Sequence, residues 1–120
     1  MTYREVYEML SGITIGDRAV PFAYYMFPAD DPNNPQPPFG VYYYADSNDL
    51  EADNLNYQRI RALTVELYTD NKDFAAEEAV ESALNAAGLV YARTETYIDA
   101  EKMYMVTYTT DIIVTEENNG

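Results

Sequence analysis

The side chains most able to do chemistry are four carboxylates within eight residues, shortly after three consecutive tyrosines. They are Asp46, Asp49, Glu51 and Asp53. Acids at this density can hold Mg²⁺ for phosphoryl transfer or form the carboxylate pair of a glycosidase. Both reactions need side chains fixed by a strand or a helix. The surrounding residues are rich in Asn and Ser, which favours a solvated loop.

A calcium loop of the EF-hand type is a second possibility for this segment. Such a loop takes ligands at positions 1, 3 and 5, with Gly at 6 and Glu at 12. Counted from Asp46, position 5 is Leu50 and position 6 is Glu51, so the pattern fails. Adventitious cation binding and catalysis remain as alternatives to a loop used in assembly.

The groups that most often accompany acids in catalysis are missing from the composition. The chain has no histidine and no cysteine, which removes imidazole bases, thiolate ligands and the usual catalytic triads. The five glycines form no phosphate-binding loop. Lys72 and Lys102 lie among acids, which favours their charged state. We therefore predict no enzymatic activity, no catalytic residue, no cofactor and no bound metal.

Length and charge restrict the class of protein. A chain of 120 residues predicts a single domain over 1–120, and 48% hydrophobic residues indicate a globular protein. The net charge of −14 repels nucleic acid and anionic lipid at long range. The first ten residues lack the pattern of a signal peptide, and no stretch approaches the ~18 apolar residues of a membrane span. We expect a soluble protein of the cytoplasm.

Two helices are predicted from their capping residues and apolar periodicity. Thr2 and Glu5 form a capping box at the start of an N-terminal helix over 1–12. A second helix is expected to begin at Asp73 and to end at Gly88.

Five strands are predicted from alternating apolar residues, which gives the order α-β-β-β-α-β-β. They cover 20–27, 39–46, 58–69, 89–98 and 102–114. The third strand, second helix and fourth strand are expected to form a crossover. The connections include a Pro-rich loop over 28–38, an acidic hairpin loop over 46–57 and a disordered tail over 116–120. This pattern predicts an α+β fold, with a small mixed sheet, two helices on one face and a long β-hairpin.

Tyrosine is unusually frequent, with 13 residues against four phenylalanines and no tryptophan. Tyrosine is favoured at protein interfaces because its ring is apolar and its hydroxyl forms hydrogen bonds. Tyr104 and Tyr108 fit the interior of a sheet. The tyrosines on the first two predicted strands place large side chains on both faces of the sheet. Two helices can hardly cover both faces, which favours a partner subunit. These tyrosines are Tyr24, Tyr25, Tyr42, Tyr43 and Tyr44.

Several segments resemble small proteins of long-tailed bacteriophages and prophages. The segments are "AVPFAYYMFP", "PPFGVYYY", "ADNLNY", "VELYTDNKD", "EEAVESALNAAGLVY" and "YIDAEKMYMVTY". Together they resemble tail-completion or tail-terminator proteins of the head–tail neck, over about residues 2–115. "ELYTDNKD" is the most distinctive of them.

The resemblance implies a structural protein that forms a six-fold ring, terminates the tail tube and joins it to the head. Its implied partners are copies of itself in a hexamer, the tail-tube protein and head-connector proteins. DNA would pass through without adhering, and no membrane is involved. The implied location is the virion, with assembly in the cytoplasm of the bacterial host.

The resemblance also places 39–44 and 58–68 on the two arms of the hairpin, with 46–53 at its tip. Together with the tyrosines, this predicts a contact surface for subunits and partners. Its residues are Tyr24, Tyr25, Phe39, Tyr42, Tyr43, Tyr44, Asp49, Glu51, Asp53, Tyr57, Arg59 and Arg61. The alternatives are another neck protein, a tail-tube subunit, or a module that binds a small molecule or a metal.

Overall fold

The computed structural model describes residues 1–47, 50–51 and 57–115, and for residues 46, 47, 50, 51, 57 and 58 it describes the backbone alone. Within these residues the chain forms two helices and eight strands. The helices are α1 (Tyr3–Ser11) and α2 (Phe74–Ala86). The strands are β1 (Thr14–Ile15), β2 (Arg18–Ala19), β3 (Phe22–Tyr24), β4 (Phe39–Ser47), β5 (Leu50–Glu51), β6 (Tyr57–Thr69), β7 (Ala92–Ile98) and β8 (Met103–Val114).

The central sheet has the strand order β3-β4-β6-β8-β7. Strand β3 is parallel to β4, whereas the other neighbouring pairs are antiparallel. The mixed sheet of the predicted α+β fold is therefore confirmed. Because β6 and β7 are both antiparallel to β8, they run parallel to each other. The predicted crossover through α2 thus skips over β8.

Local signals in the sequence account for both helices. The Thr2 hydroxyl accepts a hydrogen bond from the Glu5 amide at 3.0 Å, and the Glu5 carboxylate accepts one from the Thr2 amide at 2.7 Å. The Asp73 carboxylate caps α2 by accepting from the Ala76 amide at 3.0 Å. Gly88 follows α2 with a φ of 74°, a conformation that favours glycine. The capping box and the two ends of α2 were all predicted.

The core lies between the two helices and one face of the sheet. Alternate residues of β4, β6 and β8 point toward α1 and α2, as the two-residue period of a strand requires. The largest buried side chains of this core are Val6, Leu10, Leu63, Val65, Leu67, Val80, Leu84, Val106 and Tyr108. Both helices therefore cover the same face, as predicted.

The first predicted strand is shorter than expected. It was predicted over 20–27, but β3 covers only Phe22–Tyr24. Tyr25 has a φ of 72°, and the Met26 amide donates to the Tyr24 carbonyl at 2.8 Å, which forms a γ-turn. This turn ends the strand, because an extended backbone has negative φ.

Two short features were not predicted. Strands β1 and β2 form a separate two-stranded hairpin. Strand β5 lies within the segment predicted as an acidic loop and pairs with the start of β6. Each of these strands has two residues, which is too few for an alternating pattern to be recognised. The predicted tail over 116–120 lies outside the described residues.

Candidate interface surface

The face of the sheet opposite the helices is one candidate surface, and we call it the open face. Residues directly opposite each other in the ladder share a face, so the register assigns its members. Strand β4 contributes Phe39, Val41 and Tyr43, and β6 contributes Ile60, Ala62, Thr64, Glu66 and Tyr68. Strand β8 contributes Met103, Met105, Thr107, Thr109, Asp111 and Ile113.

The open face is richer in apolar and aromatic side chains than the solvated face of an antiparallel sheet usually is. Its carboxylates are Glu66 and Asp111, and Ile113 is 47% exposed. Val41 and Thr64 are buried by their neighbours on this face. Among the described residues, no helix covers it. The open face is therefore suited to contact with another protein surface.

Glu66 lies at the centre of this face, between two tyrosines. The Tyr43 hydroxyl donates to Oε2 at 2.8 Å, and the Tyr68 hydroxyl donates to Oε1 at 2.7 Å. The hydrogen bond to Glu66, together with burial, raises the pKa of Tyr43 to about 12. Burial, reinforced by the hydrogen bond to Glu66, raises the pKa of Tyr68. Both hydroxyls therefore stay protonated at neutral pH and fix the carboxylate in place.

A pocket of about 270 Å³ lies on the open face, beside Glu66 and under the chain that follows β3. Aromatic rings form much of its wall. The Phe39 and Tyr68 rings are stacked, with centroids 5.2 Å apart and planes 18° apart. The Phe27 ring meets Phe39 edge-on at 5.5 Å. The pocket therefore combines aromatic surface with the Glu66 carboxylate.

The Pro-rich segment is held in place beside the pocket by its own hydrogen bonds. The Asn34 side chain donates to the Pro28 carbonyl at 2.6 Å, and the Asn33 amide donates to the Asp31 carboxylate at 2.8 Å. The peptide bond between Pro37 and Pro38 is cis. Asn34 and Pro35 line the pocket. The predicted loop over 28–38 thus contributes part of this site.

The tyrosines of β3 and β4 divide between exposed and buried positions. Tyr24 is 50% exposed and Tyr25 is 62% exposed. Tyr42 is only 9% exposed, because it faces the core opposite Val65. Tyr44 is half-buried, and burial raises the pKa of its hydroxyl. The place of Tyr42 in the predicted contact surface stays a prediction, and its side chain is already covered within this protomer.

A second aromatic patch lies on the helix side of the sheet, at the edge formed by β3, and we call it the tyrosine edge. It consists of the exposed Tyr3, Tyr7 and Tyr24. Tyr44 connects Tyr3 and Tyr24, because its ring lies 4.9 Å from that of Tyr3 and 5.9 Å from that of Tyr24. The predicted contact residues therefore lie on two surfaces, which face opposite sides of the sheet.

The remaining predicted contact residues lie elsewhere. Arg59 and Arg61 are opposite Val114 and Ile112 in the ladder, which places them on the helix side of the sheet. Glu51 pairs with Tyr57 between β5 and β6, and only their backbone is described. Asp49 and Asp53 lie outside the described residues. The part of these three acids in the contact surface therefore stays a prediction.

A charged cluster between α2 and β7 was not predicted. Glu77 is buried and forms ion pairs with Arg93 and with Lys72, the latter at 2.5 Å. Lys72 also contacts Glu95 at 2.5 Å. Burial alone would lower the pKa of Lys72, but the hydrogen bonds that Lys72 donates to Glu77 and Glu95 raise it above its usual value. The cluster joins the start of α2 to the edge strand β7. Because its charged side chains are paired with one another, it indicates a structural role.

In the part of the chain that the structure describes, no group of three or more acidic side chains is arranged to hold a metal ion. None of the helices in this part is long and apolar enough to cross a membrane.

Comparison with solved structures finds a similar fold in a chain of the virion of a native gene transfer agent particle. The TM-score is 0.56, the sequence identity is 14%, and the match covers 77% of each chain. At this identity the likeness concerns the fold. No family model matches the chain, and no curated protein matches it.

Proposed function

We propose that this chain is a structural virion protein of a tailed phage or prophage. In this proposal it assembles as a hexameric ring that terminates the tail tube and forms the head–tail joining surface. Its fold is similar to that of a chain in a gene transfer agent virion, which supports a role in a virion. The sequence resemblance to tail-terminator proteins supports the more specific role within the tail.

The open face is the observation on which this proposal mainly depends. Its apolar and aromatic side chains are mostly half-buried within the protomer, and Ile113 is the exposed large hydrophobic residue among them. Covering the part that stays accessible against another protein is favourable. A ring also requires two different, complementary surfaces on each subunit. The open face and the tyrosine edge are two such surfaces, and they lie on opposite sides of the sheet. Contact between the open face of one copy and the tyrosine edge of the next would generate a ring.

The net charge of −14 suits a subunit that surrounds passing DNA. Negative charge on the wall of a channel repels the phosphate backbone and prevents the DNA from adhering. The same charge makes subunits repel each other, so assembly should be weak at low ionic strength. The partners in this proposal are the tail-tube protein and the head-connector proteins. Assembly would take place in the bacterial cytoplasm.

Two alternatives make different predictions about assembly. A tail-tube subunit would use the same two surfaces but would polymerise into long fibres instead of closed rings. A small-molecule binding module would stay a monomer or dimer, and the pocket of about 270 Å³ on the open face is the feature that favours it.

Electron microscopy of the purified protein at high salt separates these cases, and we expect closed six-fold rings. The triple variant Asp49→Asn, Glu51→Gln, Asp53→Asn tests the role of the acidic segment over 46–53. We expect this triple variant to fold normally, since the sequence predicts solvated carboxylates, but to change ring formation or docking to partners.

A matched control makes the same charge change at three exposed acids elsewhere, namely Asp17→Asn, Glu78→Gln and Asp99→Asn. If the triple variant in the acidic segment unfolds, or if both triple variants change assembly equally, the acidic segment has no specific role in assembly. Long fibres in the unmodified protein would support the tail-tube alternative.

A further inference from the structure

The pocket on the open face has the size and lining of a site for a single side chain. Its volume of about 270 Å³ lies below the ~300–1,000 Å³ of sites for drug-sized ligands. Phe27, Phe39 and Tyr68 supply aromatic walls, and Met26 and Met103 supply flexible apolar ones. Methionine side chains adapt readily to the shape of a bound group.

The polar groups of the pocket favour a positively charged occupant. Glu66 and Glu101 both line it, and the described lining contains neither lysine nor arginine. Tyr43 and Tyr68, which donate to the two oxygens of Glu66, are uncharged. These two neutral donors hold the Glu66 carboxylate in place but do not neutralise its negative charge. A cation that enters the pocket would therefore meet a negatively charged group. Such a carboxylate interacts strongly with a charged donor.

The aromatic walls favour a planar cation in particular. A guanidinium group stacks on aromatic rings and is more weakly hydrated than an ammonium group, so it loses less on entering a partly closed site. The stacked Phe39 and Tyr68 rings offer it a flat surface next to Glu66.

We propose that this pocket binds an arginine side chain of a neighbouring protein in the assembly. Only the identity of the neighbour rests on the proposed virion role, because binding of the guanidinium depends on the pocket alone. The −14 charge of the chain adds a long-range attraction for a basic partner segment.

Methionine NMR can test this proposal directly, because two of the five methionines line the pocket. The full chain, labelled with ¹³C at its methionine methyl groups, is titrated with N-acetyl-arginine methylamide. We expect saturable shifts for Met26 and Met103, with a dissociation constant in the millimolar range for such a small probe. Met9, which packs against the core on the other side of the sheet, should not shift. The citrulline analogue, which has the same shape without the charge, should bind at least fivefold more weakly.

Two variants assign the binding to the carboxylates. Glu66→Gln keeps one of the two acceptor oxygens that the tyrosines use and removes the charge, and we expect it to weaken binding about fivefold to tenfold. Glu101→Gln, at an exposed turn, should weaken it less, and it remains informative if Glu66→Gln fails to fold. Glu78→Gln, an exposed change of the same kind on α2, should leave binding unaltered.

The proposal is overturned if Met26 and Met103 do not respond, if citrulline binds equally well, or if both pocket variants bind like the unmodified protein. Ring formation is measured separately, by electron microscopy and by molar mass from light scattering. None of the results above would decide whether rings form. Rings without arginine binding would therefore reject this inference and leave the proposed function standing.

Discussion

At the scale of single residues, the environment of each ionisable group determines its role. Glu66 accepts from two tyrosines on the open face and lies beside a pocket. Glu77 is a buried residue of α2 and already pairs with Lys72 and Arg93. The two carboxylates therefore have different uses. Glu66 is available to a cation from outside, whereas the charge of Glu77 is balanced within the chain.

The structural role of Glu77 leads to a prediction about stability. Glu77→Ala should lower the free energy of unfolding by about 2–3 kcal/mol, measured by urea denaturation at pH 7. Removing one partner of a fully buried pair costs about 3–5 kcal/mol, but Lys72 and Arg93 are partly exposed and keep Glu95 as a partner.

The neighbouring Glu78 offers a matched control, because it is exposed on the same turn of α2. Glu78→Ala should change the free energy of unfolding by no more than about 0.5 kcal/mol. Equal losses in the two variants would mean that the cluster around Glu77 contributes nothing beyond the helix itself.

At the scale of elements, close packing of β3 on β4 fixes the edge of the sheet that carries the exposed tyrosines. Phe22 is opposite Gly40 in the parallel ladder. A Cβ atom at Gly40 would lie only 2.1 Å from the Phe22 ring, so glycine at this position leaves room for the ring. The position of Tyr24 and of the turn at Tyr25 depends on this contact.

The contact between β3 and β4 predicts that Gly40→Ala lowers the free energy of unfolding by about 1–3 kcal/mol, since overpacking forces the ring to move. The double variant Gly40→Ala, Phe22→Leu should lose less than the sum of the two single changes. Chemical denaturation of the four proteins measures the coupling. Strictly additive losses would contradict the packing that we describe.

The elements also show how far the sequence alone could predict this protein. The capping box at Thr2, the cap at Asp73 and the alternation along β6 and β8 are local signals, and each predicted its element correctly. Strand β3 is short because the chain turns at Tyr25, which has a positive φ. Tyrosine rarely adopts positive φ, so the end of this strand could not be predicted from the sequence.

The candidate site was harder to predict, because it is formed by distant parts of the chain. The pocket joins Phe27, Phe39, Tyr68 and Met103, which come from a loop and three strands. The cluster around Glu77 joins Lys72 before α2 to Arg93 and Glu95 on β7. Neither has a characteristic spacing along the chain. The burial of Tyr42 was not predicted for the same reason, since it depends on how the rest of the chain covers β4.

At the scale of the whole molecule, attraction and repulsion between copies oppose each other. The open face and the tyrosine edge favour contact, whereas a net charge of −14 on each copy opposes it. Raising the salt concentration from 0.1 M to 1 M shortens the screening length from about 10 Å to about 3 Å. Salt should therefore promote assembly, because burial of apolar surface does not depend on charge.

The central claim, that sister copies cover the open face, is tested most directly by molar mass from light scattering across salt and protein concentration. Ile113→Lys alters the open face, whereas Val90→Lys makes the same change at an 88% exposed site outside the sheet. We predict that the unmodified protein and Val90→Lys grow from 13.7 kDa toward about six times that mass as salt increases, while Ile113→Lys stays small. A constant mass of 13.7 kDa for the unmodified protein, or equal assembly of the two variants, would contradict the claim.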